Sequence, residues 1–112
     1  MIFKMRFGQY QKLAGKTILE NCRSEEYMVL GIGNEAGELQ GKFKKRLRGD
    51  EAYQDNEKFK NMVIGEIGDV LWYLCGLCTV LEIEFDEVAE INLEKLTKRL
   101  EENKLMGDGD TR

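Results

Sequence analysis

Four carboxylates stand in two pairs of equal spacing, Glu35 with Glu38 and Glu66 with Asp69. Residues three apart on a helix share a face, so each pair presents two acids side by side. The second pair falls inside the most apolar stretch of the chain, residues 62–81. A carboxylate held alone in such a place costs several kcal/mol or takes up a proton. Two such pairs on neighbouring helices are better explained by a shared cation. Donors that are all oxygen select a hard ion, Mg²⁺ or Mn²⁺, over zinc or copper. The bland alternative is a solvated face, with Glu38 and Lys42 as an ordinary i,i+4 ion pair. Glu66 and Asp69 weigh against it, because their helix has little polar face to put them on. Setting the four acids aside leaves seventeen acids against seventeen bases, so these positions hold the whole net charge of −4.

The composition narrows the remaining chemistry. The chain has no histidine, which removes Ser-His-Asp and Cys-His catalysis, histidine bases and histidine-bearing zinc sites. Cys75 and Cys78 lie mid-helix in an apolar run, where a redox Cys-x-x-Cys would open a helix after a strand, and they read as small core residues. Three thiols in total are not a disulfide framework and suit a reducing compartment. Asn92, Lys95 and Arg99 follow at spacings of three and four, one face that serves either as a phosphate-holding set or as a solvated surface. Glycines at 33, 37, 41, 65 and 68 flank the acids, and each costs about 1 kcal/mol inside a helix relative to alanine. Close approach of two backbones, or of a backbone and a ligand, would justify them.

The elements that must position these groups are helices. The chain has no proline and no stretch that alternates apolar and polar residues. The spacing predicts a first helix over residues 7–22, on Phe7, Tyr10, Ala14 and Ile18. Ser24 opens a second, with the stripe Met28, Ile32, Ala36, Leu39, Phe43 and Leu47, closed by Gly49 and Asp50. A polar loop to residue 56 precedes a long third helix to about residue 81, apolar on nearly every face and therefore central and buried. Asp86 caps a fourth, whose buried line is Ala89, Leu93, Leu96 and Leu100.

Length and charge set the remaining bounds. The 112 residues make one domain, 1–112, with a flexible tail at about 104–112. A chain this short leaves much surface uncovered, so self-association is a natural expectation. The acidic balance argues against nucleic acid and anionic membranes as partners. Only residues 70–81 form an uncharged apolar run, too short to span a bilayer, and the N-terminus lacks the pattern of a signal peptide. A cytoplasmic location is expected.

In order along the chain, Gly33-Asn34-Glu35-Ala36-Gly37-Glu38, Gly65-Glu66-Ile67-Gly68-Asp69-Val70-Leu71-Trp72-Tyr73 and Asn92-Leu93-Glu94-Lys95-Leu96 with Arg99 resemble the MazG-like nucleoside triphosphate pyrophosphohydrolases of the all-α NTP pyrophosphatase superfamily. The family pattern is Glu-x-x-Glu, a variable spacer, then Glu-x-x-Asp, and here 27 residues separate the halves. The resemblance implies a four-helix bundle-like core that assembles as a homodimer or homotetramer. It implies Mg²⁺ held by Glu35, Glu38, Glu66 and Asp69, and cleavage of a nucleoside triphosphate to the monophosphate and pyrophosphate. Glu38 is favoured as the base that takes the water's proton, though Glu35 and Glu66 are not separated from it by sequence. Tyr73, Asn92, Lys95 and Arg99 would meet the substrate. A relative acting on phosphoribosyl-ATP or dUTP, or a non-catalytic metal-binding helical adaptor, stays open beside this reading.

Overall fold

Ser24 starts the longest local commitment in the chain: its hydroxyl accepts the Tyr27 N–H at 3.1 Å, with Glu25 and Glu26 in the first turn and Lys44, Lys45 and Arg46 in the last. Asp55 does the same for the next long helix by accepting the Lys58 N–H at 2.9 Å. The computed structural model describes residues 4–103, which form four α-helices: α1 (Phe7–Gly15), α2 (Glu25–Leu47), α3 (Asn56–Val80) and α4 (Phe85–Glu101). Short 3₁₀ turns at Glu20–Cys22 and Glu51–Tyr53 precede α2 and α3, and the described residues contain no strand. The tail expected at 104–112 lies outside the described residues.

Both long helices end in the same hydrogen-bonded turn. After α2, Gly49 takes a φ of +90°, with its N–H on the Arg46 carbonyl and the Asp50 N–H on the Lys45 carbonyl. After α3 the pattern repeats with Glu82 in the glycine position at a φ of +58°. Its N–H bonds the Thr79 carbonyl, and the Ile83 N–H bonds the Cys78 carbonyl.

α2 and α3 run antiparallel and make the main packing surface. Met28 sits against Gly76, Gly31 against Tyr73, and Phe43 and Arg46 against Phe59. α1 packs on the other side of α3, where Tyr10, Ala14 and Leu71 surround Cys75, Cys78 and Phe85. Gln11 joins three elements by donating to the Ile83 carbonyl at 2.9 Å and accepting the Phe85 N–H at 2.8 Å.

Four expectations are corrected. The first helix stops at Gly15, not at residue 22: the Thr17 hydroxyl bonds the Ala14 carbonyl at 2.7 Å and receives the Trp72 indole N–H at 2.8 Å, and the turn buries Ile18. Asp86 does not cap the fourth helix, which begins after Glu84; its carboxylate accepts the Gly8 N–H at 3.1 Å and ties α1 to α4. On α4, Leu93, Leu96 and Leu100 are exposed, while Phe85 and Arg99 are buried. α4 is anchored through Phe85 at its start, which turns the leucine line away from the chain's own core. α3 is central, since α1, α2 and α4 all meet it, but it is not buried. It is long and apolar enough to cross a membrane by length and composition, with a mean hydropathy of 1.5 in an 18-residue window of which 17% is buried.

Candidate metal centre

The seam between α2 and α3 is apolar at its ends and acidic in its middle. Glu35 from α2 meets Glu66 and Asp69 from α3, with one carboxylate oxygen from each lying within 4.8 Å of the others. Glu35 and Glu66 are half-buried and Asp69 is exposed, so the cluster opens to solvent on one side. The two Glu-x-x-acid segments thus converge because antiparallel packing sets residue 35 opposite residue 69. Oxygens around an octahedral Mg²⁺ stand roughly 3 to 4 Å apart, so small rotations bring these three onto one ion. The donor set fits a hard divalent cation.

The electrostatics point the same way. Glu35 is held above its ordinary 4.5 by burial first, then by the charges of Asp69, Glu66 and Glu38. Glu38 stands outside the close group, exposed, one turn along α2 and near enough to act on Glu35. Lys42 reaches Glu66 at 3.5 Å, so the ion pair of this lysine spans the seam to α3; sequence reasoning had considered it only for Glu38. Its signal was its place seven residues after Glu35, two turns along the same face.

An aromatic group adjoins the acids one turn further along α3. Tyr73 lies edge-on to Trp72 at 4.9 Å between ring centres and 6.1 Å from Tyr27. Hydrogen bonds to Cys22 and then to Tyr73 push the Tyr27 phenol up to about 12. Sequence reasoning missed Tyr27, although it precedes Gly31 by four residues and so shares its face. A Cβ on Gly31 would overlap the Tyr73 ring, and one on Gly76 would lie 2.6 Å from the Met28 sulfur. These two glycines, and not Gly33, Gly37, Gly41, Gly65 or Gly68, let the helices approach; a Cβ on any of those five meets nothing within 4 Å.

Asn92 and Lys95 line a groove of about 430 Å³ with Ile83, Glu87, Val88 and Ile91, and Arg99 is 6% exposed. Cys75 and Cys78 are buried, and burial pushes the Cys75 thiol up to about 11, with a smaller contribution from Cys78.

Described residues whose only regular elements are helices, the two longest meeting at a carboxylate cluster, define an acidic helical domain. The particular family follows from comparison: residues 23–103 match the MazG nucleotide pyrophosphohydrolase domain, and the chain belongs to that family. The match runs from just before α2 to just past the end of α4. The chain is also similar to the Gene 37 protein of Mycobacterium phage L5, at 35% identity over 96% of this chain and 100% of that protein. No solved structure matches the chain significantly.

Proposed function

We propose that the protein is a Mg²⁺-dependent nucleoside triphosphate pyrophosphohydrolase that releases a nucleoside monophosphate and pyrophosphate. The observation that carries this reading is the convergence of Glu35, Glu66 and Asp69 within 4.8 Å, drawn from both halves of the family pattern. Four acids repel a triphosphate unless cations neutralise them, so the substrate and its ions enter together. Mg²⁺ held there would neutralise charge on the phosphates and lower the pKa of a nearby water. Glu35, Glu66 and Asp69 would hold the ion, with Glu38 adding a carboxylate from the open side. Glu38, exposed at that side, takes the proton of the attacking water. Lys42, beside Glu66, tempers the charge of the cluster. Tyr73 bounds the substrate one turn from Asp69, and Asn92, Lys95 and Arg99 contribute phosphate contacts. Mn²⁺ substitutes for Mg²⁺ by the same oxygen chemistry. The protein acts in the cytoplasm as a homodimer or homotetramer, with neither nucleic acid nor membrane as partner.

The test is pyrophosphate release from a panel of NTPs and dNTPs, dUTP included, with and without Mg²⁺, beside Glu38→Gln and Glu66→Gln. Release of monophosphate plus pyrophosphate that needs Mg²⁺ and is lost in both variants supports the reading. Protein that binds Mg²⁺ and turns over none of the panel overturns it for these substrates and favours a metal-binding adaptor.

A further inference from the structure

A cleft of about 580 Å³ lies between α1 and the turn that joins α3 to α4. Hydrogen bonds fix its walls. Gly8 donates its N–H to Asp86 at 3.1 Å, and Gln11 holds both the Ile83 carbonyl at 2.9 Å and the Phe85 N–H at 2.8 Å. These bonds hold the α3–α4 turn against the first half of α1. Arg23 is tied to the other end of that helix, its guanidinium donating to the Gly15 carbonyl at 2.9 Å. The cleft therefore has two ends. Lys16 and Arg23 line one, with Lys12 a turn nearer the middle, and Glu82 and Glu84 line the other. About 6 to 8 Å of helix separates Gln11, at the acidic end, from Gly15 and Lys16.

The fold uses up neither set of charges. Basic residues at a helix C-terminus commonly serve its last carbonyls. Here the Leu13, Ala14 and Gly15 carbonyls are taken by the Lys16 and Thr17 N–H groups, the Thr17 hydroxyl and Arg23. Among the described residues neither Lys12 nor Lys16 forms an ion pair, so lysines and glutamates line one cleft without joining across it. Glu82 is kept at a φ of +58°, in the turn position that Gly49 fills after α2. A carboxylate held on strained backbone, where glycine would serve the turn, marks a group with a use. Gly15 adds to this. A Cβ there meets nothing within 4 Å, so no described neighbour calls for glycine, and its bare backbone lines the cleft.

We propose that this cleft is a second ligand site, taking a nucleoside monophosphate with its phosphate at Lys12, Lys16 and Arg23 and its sugar hydroxyls or base amino group at Glu82 and Glu84. Two ammonium groups and a guanidinium match a phosphate dianion, and carboxylates accept from hydroxyl and amino donors. The volume is that of small-molecule sites, roughly 300 to 1,000 Å³. Thr79 in the cleft is ten residues along α3 from Asp69, about 15 Å, so the site stands apart from the metal cluster. The choice of a nucleotide rests on the reaction proposed above, whose product it is; the cleft and its charges do not. A monophosphate held here acts on the enzyme by a route other than competition at the metal.

Isothermal titration calorimetry of the full chain in EDTA tests the site without metal or turnover, with the ribonucleoside and deoxyribonucleoside 5′-monophosphates and inorganic phosphate as probes. At least one monophosphate should bind at submillimolar concentration, and Glu35→Gln should bind it equally. Lys12→Gln combined with Lys16→Gln should weaken it about tenfold or more. Glu82→Gly, which relieves the turn, should weaken the nucleotide about fivefold or more and leave inorganic phosphate unchanged. Binding of no probe at millimolar concentration overturns the site. Binding that needs Mg²⁺ and disappears in Glu35→Gln overturns it by placing the monophosphate on the metal cluster. Inorganic phosphate held as tightly as any monophosphate, with Glu82→Gly indifferent, overturns the nucleotide as ligand. Pyrophosphate release by the same preparations separates the two proposals. An active enzyme with an empty cleft overturns this inference alone, and an inactive protein that binds a monophosphate in EDTA sustains the site and overturns the reaction.

Discussion

At the scale of single residues, the seam depends on Glu35, an acid in a position that packing alone would fill with an apolar side chain. Like charges on Asp69, Glu66 and Glu38 add to the effect of burial on it. Glu35→Gln should therefore raise the melting temperature of the metal-free protein. Mg²⁺ should raise the melting temperature of the wild type, and the same change should abolish that rise and lower pyrophosphate release by roughly 100-fold or more. Calorimetric scans with and without Mg²⁺ separate the two effects. The thiols give an independent check. Cys75, pushed up to about 11 from 9.0, favours folding in its protonated form. That contribution is complete below about pH 9 and is lost as pH rises through about 11. At pH 8, alkylation of the folded protein should label Cys22 and spare Cys75 and Cys78, with mass spectrometry counting one adduct before unfolding and three after. The acids were legible in the sequence because spacing of three fixes a shared face wherever a helix forms. Lys42 and Tyr27 were not, because their partners belong to the facing helix and only the antiparallel register supplies them.

Helix boundaries and crossings follow from a few local devices. α2 closes with a glycine at positive φ, and α3 closes the same turn with Glu82. A side chain in that conformation costs about 1–2 kcal/mol, so Glu82→Gly should stabilise the protein by about 1 kcal/mol in urea unfolding. The glycines of α2 divide by what faces them. Gly37→Ala meets open space and should stabilise by about 0.5–1 kcal/mol. Gly31→Ala drives a Cβ into the Tyr73 ring, which Tyr27 and Trp72 flank, and should destabilise by about 1–3 kcal/mol. Ser24, the carboxylates that follow it and the missing prolines made the long helices readable. The early stop of α1 was not readable, because it depends on the Trp72 indole meeting Thr17 across 55 positions of sequence. Nor was the outward turn of the α4 leucines: periodicity finds an apolar line without saying whether this copy of the chain covers it.

For the molecule as a whole, what stands out is how little apolar surface one copy hides. Among the described residues, Ile18, Met28, Phe59, Cys75, Cys78 and Phe85 make up its buried hydrophobic core, while nineteen large apolar side chains are exposed. Folding free energy is a small difference between burial and chain entropy, so a core of this size leaves a lone protomer marginal. If the remaining apolar surface is covered only on association, folding and assembly are one equilibrium, and stability depends on protein concentration. Unfolding a two-chain assembly of this length absorbs on the order of 150 kcal/mol, from which a tenfold rise in concentration lifts the melting temperature by about 3 °C. Differential scanning calorimetry over a hundredfold range should thus show a rise of about 6 °C for the wild type. A helical monomer has no reason to respond, so a melting temperature independent of concentration would mean that six buried side chains suffice. The rise should persist in Glu35→Gln, whose change falls on the carboxylate cluster and not on the exposed apolar side chains.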